Sequence, residues 1–224
     1  MKLLVISDIH GSLFYLKKII RIFEKNRYDK IIILGDELYH GPRNPLPLEY
    51  NPKEAAELLN KYKNKIIAVR GNCDSEVDQM VLNFPIRADY NIVFWENKKI
   101  FLTHGHIYNI DIPLPMEEGD IMVYGHFHVP MIEKKDGKIF LNPGSISLPK
   151  ENSLNSFGVF EDGKFYIKDM EENILMETVN DGKIMPLRRC KSATPSCHCD
   201  GVKVPLKNPK VIKNFGIYTI LFFS

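Results

Sequence analysis

Cysteine is scarce in this chain: four residues of 224 are Cys, and only Cys73 lies within the first 182. One thiol cannot make a disulfide framework, so that stretch is not a stapled secreted scaffold, and a reducing, cytoplasmic setting is expected. Long apolar runs are also missing. No segment reaches the roughly 20 apolar residues of a spanning helix, and the mostly apolar residues 215–224 make up about half that length. The opening apolar run is strand-length and lacks a small-residue cleavage site, so no targeting signal and no membrane partner are expected. Nor does one sign of charge dominate. The formal net charge is +2, with eight basic groups against one acidic in residues 183–224 and 22 against 27 in the rest. A mildly acidic body with no extended basic face argues against a stable nucleic-acid partner.

With 44% apolar residues, the chain is long enough for one sizeable core. Residues 1–182 are expected to form one domain. Residues 183–224 read as a basic extension with four prolines and no periodicity, expected to be poorly ordered. Its Cys190, Cys197, His198 and Cys199 crowd three ligands together, unlike the paired spacing of zinc sites. The apolar end of the extension could pack on the body or mediate association, which leaves homo-oligomerisation open.

The chemistry-bearing residues recur at the ends of apolar runs. Residues 3–6 (LLVI) suit a strand buried on both faces, and they stop at Ser7-Asp8-Ile9-His10-Gly11. Asp8 and His10, two apart, would share a side of an extended strand. Apolar spacings of three and four over residues 13–25 predict an amphipathic helix with Ser12 as its N-cap. A second apolar run, 31–34, ends in Gly35-Asp36 and completes a βαβ unit with a parallel pair. A Pro-rich loop, 37–50, follows. Residues 52–62 then read as a helix, with Asn51 as N-cap and Pro52 in its first position.

The third strand, 65–69, ends in Arg70-Gly71-Asn72-Cys73-Asp74. Two further strands, 99–103 and 121–124, run into His104-Gly105-His106 and Gly125-His126-Phe127-His128. Residues 139–141 lead into Asn142-Pro143-Gly144-Ser145, another loop able to face the same centre, and 157–160 with 164–168 read as a closing hairpin. Single strand-end acids are often helix caps. Three polar strand ends at one sheet edge, joined by two H-x-H pairs, point instead to metal ligation.

The ordered set Asp8-x-His10, Gly35-Asp36 with Gly41, Gly71-Asn72, His104 and Gly125-His126-x-His128 resembles the calcineurin-like metallophosphoesterase superfamily. HGPRN at 40–44, RGNCDSEVDQM at 70–80 and LTHGH at 102–106 are similar to the small bacterial YfcE-type phosphodiesterases. The resemblance implies an α/β fold, a four-layer α/β/β/α sandwich, with a dinuclear metal centre. One metal would be held by Asp8, His10, Asp36 and His128. The other would be held by Asp36, Asn72, His104 and His126, with Asp36 shared. Two divalent ions are implied, manganese first, with iron, zinc or nickel as alternatives; such a donor set suits borderline-hard cations. A hydroxide shared by the two ions would attack a small phosphodiester in line.

Many superfamily members carry His after the Gly-Asn pair as leaving-group acid; here Cys73 stands there, a poor substitute for imidazole. His40 and His106 are the substitute acids considered, with Asp74 orienting one of them and Arg43 neutralising phosphate charge. A phosphomonoesterase or nucleotidase is the alternative enzyme. A non-catalytic scaffold, like the retromer subunit that shares this fold, would be expected to have lost ligands, whereas all seven positions here hold ligand-competent residues.

Overall fold

The computed structural model describes residues 1–178 and the backbone of 184–186. The expectations for the extension, including Cys190, Cys197, His198 and Cys199, lie outside the described residues. So does the proposed boundary at 182. The body begins β1 (Leu3–Ile6), α1 (Leu13–Asn26), β2 (Lys30–Ile33), α2 (Pro52–Lys61), β3 (Ile66–Ala68) and α3 (Glu76–Val81). It continues with β4 (Tyr90–Trp95), β5 (Lys98–Thr103), β6 (Ile121–Val123), β7 (Pro130–Lys135) and β8 (Lys138–Pro143). It ends with β9 (Ser156–Glu161), β10 (Lys164–Asp169), β11 (Ile174–Thr178) and β12 (Ile184–Pro186).

Seven strands form one sheet in the order β12-β11-β10-β9-β1-β2-β3, and five form a second in the order β4-β5-β6-β8-β7. β1 is an interior strand, parallel to β2 and antiparallel to β9. Its unbroken apolar run is explained by its two faces. Leu4 and Ile6 pack in the cluster under α1 and α2, while Leu3 and Val5 enter a second cluster with Ile100, Leu102, Val123 and Leu141 of the other sheet. Ile31 and Ile33 against Ile32 and Leu34 repeat that division one strand over. A strand covered on both faces has no position at which a polar side chain would be at ease.

α1 buries Leu13, Leu16, Ile19, Ile20, Ile22 and Phe23. Ser12 occupies its N-cap position, but the hydroxyl donates to the Leu48 carbonyl at 2.7 Å and does not cap the helix. Asn51 does cap α2, accepting the Glu54 N–H. The closing hairpin forms as expected. Its turn residues Asp162 and Gly163 both have positive φ, 51° and 75°, which matches the right-handed strand twist.

Among the described residues, irregular chain packs on the outer face of the second sheet. Leu114, Met116, Tyr108 and Ile110 pack there on Phe101, Met122, Tyr124 and Phe140, from a segment with no regular structure. Pro113 and Pro115, two residues apart, remove the amide donors and crowd the backbone that a helix would need. No described helix is long and apolar enough to cross a membrane.

Candidate metal centre

β1, β2 and β3 of one sheet and β5, β6 and β8 of the other are all parallel within their sheets, and the loops at their carboxyl ends meet. Five of the seven expected ligands leave their strands with left-handed backbone: Asp8, His10, Asp36, His126 and His128 have φ of 55°, 49°, 57°, 66° and 60°. Asp and His tolerate this region better than most side chains, yet it costs of order 1–3 kcal/mol per residue and persists only where the surroundings enforce it. The surroundings are visible. Asp8 N–H donates to Gly35 O and His10 N–H to Asp36 O, and the Asp8 carbonyl accepts the Ser145 and Ser147 hydroxyls, each at 2.9 Å. The Asn142–Ser145 loop thus braces the end of β1 and supplies no ligand.

Two glycines permit the close approach. A Cβ on Gly71 would overlap the Asp36 carboxylate, and one on Gly125 would overlap the Ser7 hydroxyl.

The donor atoms of the expected ligands fall into two groups, each of which approaches Asp36 Oδ2 through one histidine. Asp36 Oδ2 lies 3.6 Å from His10 Nε2 and 3.5 Å from His104 Nε2. On one side, Asp8 Oδ1 is 3.1 Å from His128 Nε2 and 3.7 Å from His10 Nε2, with the two imidazole nitrogens 3.4 Å apart. On the other side, His104 Nε2 is 3.0 Å from Asn72 Oδ1 and 3.2 Å from His126 Nδ1. Asp8 and His10 have no exposed surface.

The histidine tautomers follow from what stands behind the rings. Nδ1 of His10, His104 and His128 lies against the carbonyls of Tyr39, Leu34 and Leu148 at 2.8, 2.7 and 2.5 Å, so it must donate. In the neutral ring, Nε2 of each is then a lone pair turned inward. Asp8 Oδ1 is buried without a hydrogen-bond partner. Several lone pairs and two carboxylates facing one another at these distances, with a buried oxygen left unpaired, are the chemistry of a cation site. The residues therefore fit the divalent ions expected for them. Cys73 Sγ also lies within reach of His10 and Asp36 ligand atoms.

Charge in the metal-free cluster follows the same geometry. Burial acts to raise the Asp8 carboxyl, but the His128 imidazole against it, with His104 and His10, outweighs burial and holds it below the ordinary carboxylate range. Burial also raises Asp36, helped by Asp8 and Asp74 and opposed by His104 and His10. His126 is pushed down to about 4 by burial and by His104, so it is neutral and able to ligate at neutral pH. Cys73 is pushed up to about 12, by burial first and then by Asp36, Asp74 and Asp8.

The remaining sequence candidates separate. Arg43 and Cys73 line a cavity of about 510 Å³ with Asp36, Asn72, His126 and His128. His40 and His106 do not line it. The His40 ring is packed between Tyr39 and Tyr50, at 4.8 and 5.1 Å between centroids, and the His106 ring lies 5.2 Å from that of His104. Asp74 does not hydrogen-bond to either of them. Its carboxylate accepts the N–H groups of Asp36, Glu37 and Gly71 at 2.8, 2.9 and 2.6 Å, so it positions the loop of the shared ligand.

Sequence reasoning missed Lys150, Asn44 and Phe127 on the cavity wall. Phe127 was visible as the middle residue of an H-x-H pair, whereas nothing in the pattern around Lys150 marks it.

Residues 1–162 match the family model for the calcineurin-like phosphoesterase superfamily domain. Over 162 residues the chain is 48% identical to "Phosphodiesterase YfcE" of Escherichia coli strain K12, covering 72% of this chain and 88% of that protein. It is 30% identical over 166 residues to "Probable metallophosphoesterase YsnB" of Bacillus subtilis, covering 71% and 83%. The solved structure of the E. coli phosphoesterase YfcE superposes with a TM-score of 0.78 at 42% identity, covering 79% of this chain and 98% of that one. By sequence, fold and the cluster at the meeting edge of its two sheets, the chain belongs to the calcineurin-like phosphoesterase superfamily.

Proposed function

We propose that this chain is a metal-dependent phosphodiesterase acting on small phosphate diesters at a dinuclear centre. The observation that carries the reading is the pair of ligand groups sharing Asp36 Oδ2 on the wall of a cavity of small-molecule size. Asp8, His10, Asp36 and His128 would hold one ion, and Asp36, Asn72, His104 and His126 the other. Bound there, two divalent cations would acidify a water and neutralise the phosphate oxygens.

The chain's own residues do the rest. The backbone carbonyls behind His10, His104 and His128 keep three imidazoles aimed inward as acceptors. Arg43 and Lys150 line the cavity and form no salt bridge among the described residues, so both can meet phosphate oxygens. Cys73, with its thiol pushed up to about 12, is a weak acid for a leaving oxygen. That favours esters whose leaving group departs without much help. The mixed carboxylate, amide and imidazole donors suit borderline-hard divalent ions such as manganese, iron or zinc. A small substrate in the cytoplasm, without nucleic-acid or membrane partner, is part of the same reading.

A phosphomonoesterase is the second reading, supported by Arg43 and Lys150, whose two charges suit a dianionic phosphate. Assaying manganese-loaded protein against bis(p-nitrophenyl) phosphate and p-nitrophenyl phosphate separates the two. Diester turnover should dominate and should vanish in Asp36→Asn, which weakens both ligand groups at once. Undiminished turnover after exhaustive chelation would sink the mechanism.

A further inference from the structure

His126 and His128 both turn toward the ligand cluster, and the residue between them is left on the cavity wall. That residue is Phe127, 45% exposed although the cavity is otherwise lined mainly by polar and charged groups. An exposed phenyl ring on an open surface needs no explanation. This one is held in place. Its ring packs nearly perpendicular to those of His126 and Tyr124, at 5.3 and 5.9 Å between centroids and 76° and 81° between planes. Its backbone N–H donates to the Gly125 carbonyl at 2.7 Å.

A ring fixed by aromatic neighbours loses little freedom when a ligand settles on it, so nearly all of the contact energy is available for recognition. Beyond the metal wall, the cavity of about 510 Å³ has room for an ester group as well as the phosphate. Lys150 lines the same cavity. A phosphate on the metals, a cation to one side and an aromatic ring on the wall are complementary to an ester that carries a planar ring.

We propose that Phe127 is a specificity-determining residue, a stacking platform for the planar aromatic group of the substrate, either a nucleobase or a simple aryl ring. The inference rests on the phosphodiesterase reading for the position of the phosphate. Stacking tolerates any flat π-face, so the platform selects aromatic over aliphatic esters and does not read the pattern of hydrogen-bonding groups on the ring.

The test is calorimetric binding of AMP and ribose 5-phosphate to the manganese-loaded full chain, since the two share the sugar phosphate and differ at C1, with adenine in one and a hydroxyl in the other. Phenyl phosphate and methyl phosphate form a second pair. The wild type should favour AMP by between about fivefold and a hundredfold, the range of one aromatic–base stack. Phe127→Ala should bring that ratio close to one while the dissociation constant for ribose 5-phosphate changes less than about threefold, and Phe127→Trp should restore the preference. A preference confined to phenyl over methyl phosphate, and lost in Phe127→Ala, would support the platform and assign it to aryl esters. A wild-type ratio near one in both pairs, a ratio unchanged in Phe127→Ala, or equal weakening of both partners would overturn the proposal. Binding is read without turnover. Failure of the loaded protein to hydrolyse bis(p-nitrophenyl) phosphate would therefore count against the phosphodiesterase reading alone.

Discussion

Replacing Asp74 by Ala tests how the shared ligand is held. Its carboxylate accepts three main-chain N–H groups, from Asp36, Glu37 and Gly71, and no side chain in the described residues replaces it there. A hydrogen bond to a charged acceptor is worth about 1.5–3 kcal/mol, so three of them represent roughly 4.5–9 kcal/mol before compensation. Two effects reduce that figure. Asp74 raises the carboxyls of both Asp36 and Glu37, so its removal relieves like-charge repulsion. Asp74 is also only partly buried, so water can reach some of the freed donors. A net loss of about 3–5 kcal/mol is expected, a large part of the 5–15 kcal/mol that holds a typical domain together. Urea unfolding of the metal-free protein, followed by fluorescence of the single and fully buried Trp95, reads it directly. Manganese affinity should fall in the same variant, because Asp36 and Asn72 both depend on this loop. An Asp74→Ala protein within about 1 kcal/mol of wild type, with unchanged metal affinity and an altered pH–rate profile, would refute the reasoning. That pattern would return Asp74 to the orienting role considered for it beside His40 or His106.

Cys73→Ser should keep kcat within about tenfold of wild type, since a thiol this hard to ionise gives up little of the 10²–10⁴-fold that general acid catalysis supplies. A fall of several orders of magnitude would make the thiol a participant. Glu37 is fully buried, and burial, the Asp74 carboxylate beside it and Asp36 push its carboxyl well above the ordinary value. The unfolded chain releases that proton near pH 4.5 while the folded chain keeps it, so the stabilising contribution is complete below that pH and is lost as pH rises toward the folded value. Metal-free Glu37→Gln should remove this decline, by up to about 1.4 kcal/mol per pH unit within the window. Parallel pH–stability curves for the two proteins would show that Glu37 is not the group responsible.

The strands and the clustering of the expected ligands were legible because they rest on strong local signals. Continuous apolar runs such as LLVI and IIIL require cover on both faces, and polar residues at their ends must then meet at one sheet edge. The expected ligands Asp8, His10, Asp36, Asn72, His104, His126 and His128 do come together. What escaped notice lacked such periodicity. α3 is six residues long and buries none of them, though Ser75 and Asp78 do spell its capping box. β4, whose outward residues Tyr90, Ile92 and Phe94 are exposed, and β11 carry no buried alternation strong enough to mark them. The Ser12 hydroxyl donates to the Leu48 carbonyl and accepts no N–H from its helix, a tertiary arrangement that no local pattern encodes. Lys150 was invisible for the same reason. Its relevance comes only from the fold that carries it to the His126 and His128 side of the cavity.

The left-handed backbone at five of the expected ligand positions bears on what metal binding would do to the protein. Strain of order 1–3 kcal/mol at each residue has to be offset, and hydrogen bonds from the chain itself are in place to do so. Asp8 is tied by Gly35, Ser145 and Ser147, His10 by Asp36 and Tyr39, and Asp36 by Asp74 and the Cys73 N–H. None of these bonds uses a ligand lone pair that points into the centre. We expect these bonds to organise the loops without help from an ion. What a cation adds is relief of the repulsion between Asp8 and Asp36 and a partner for the unpaired Asp8 oxygen. Metal binding should accordingly raise stability through charge compensation while leaving the hydrogen-exchange protection of the Asp8, His10 and Asp36 amides in place. Protection that appeared only on loading would mean that the ion, and not the chain, builds the site.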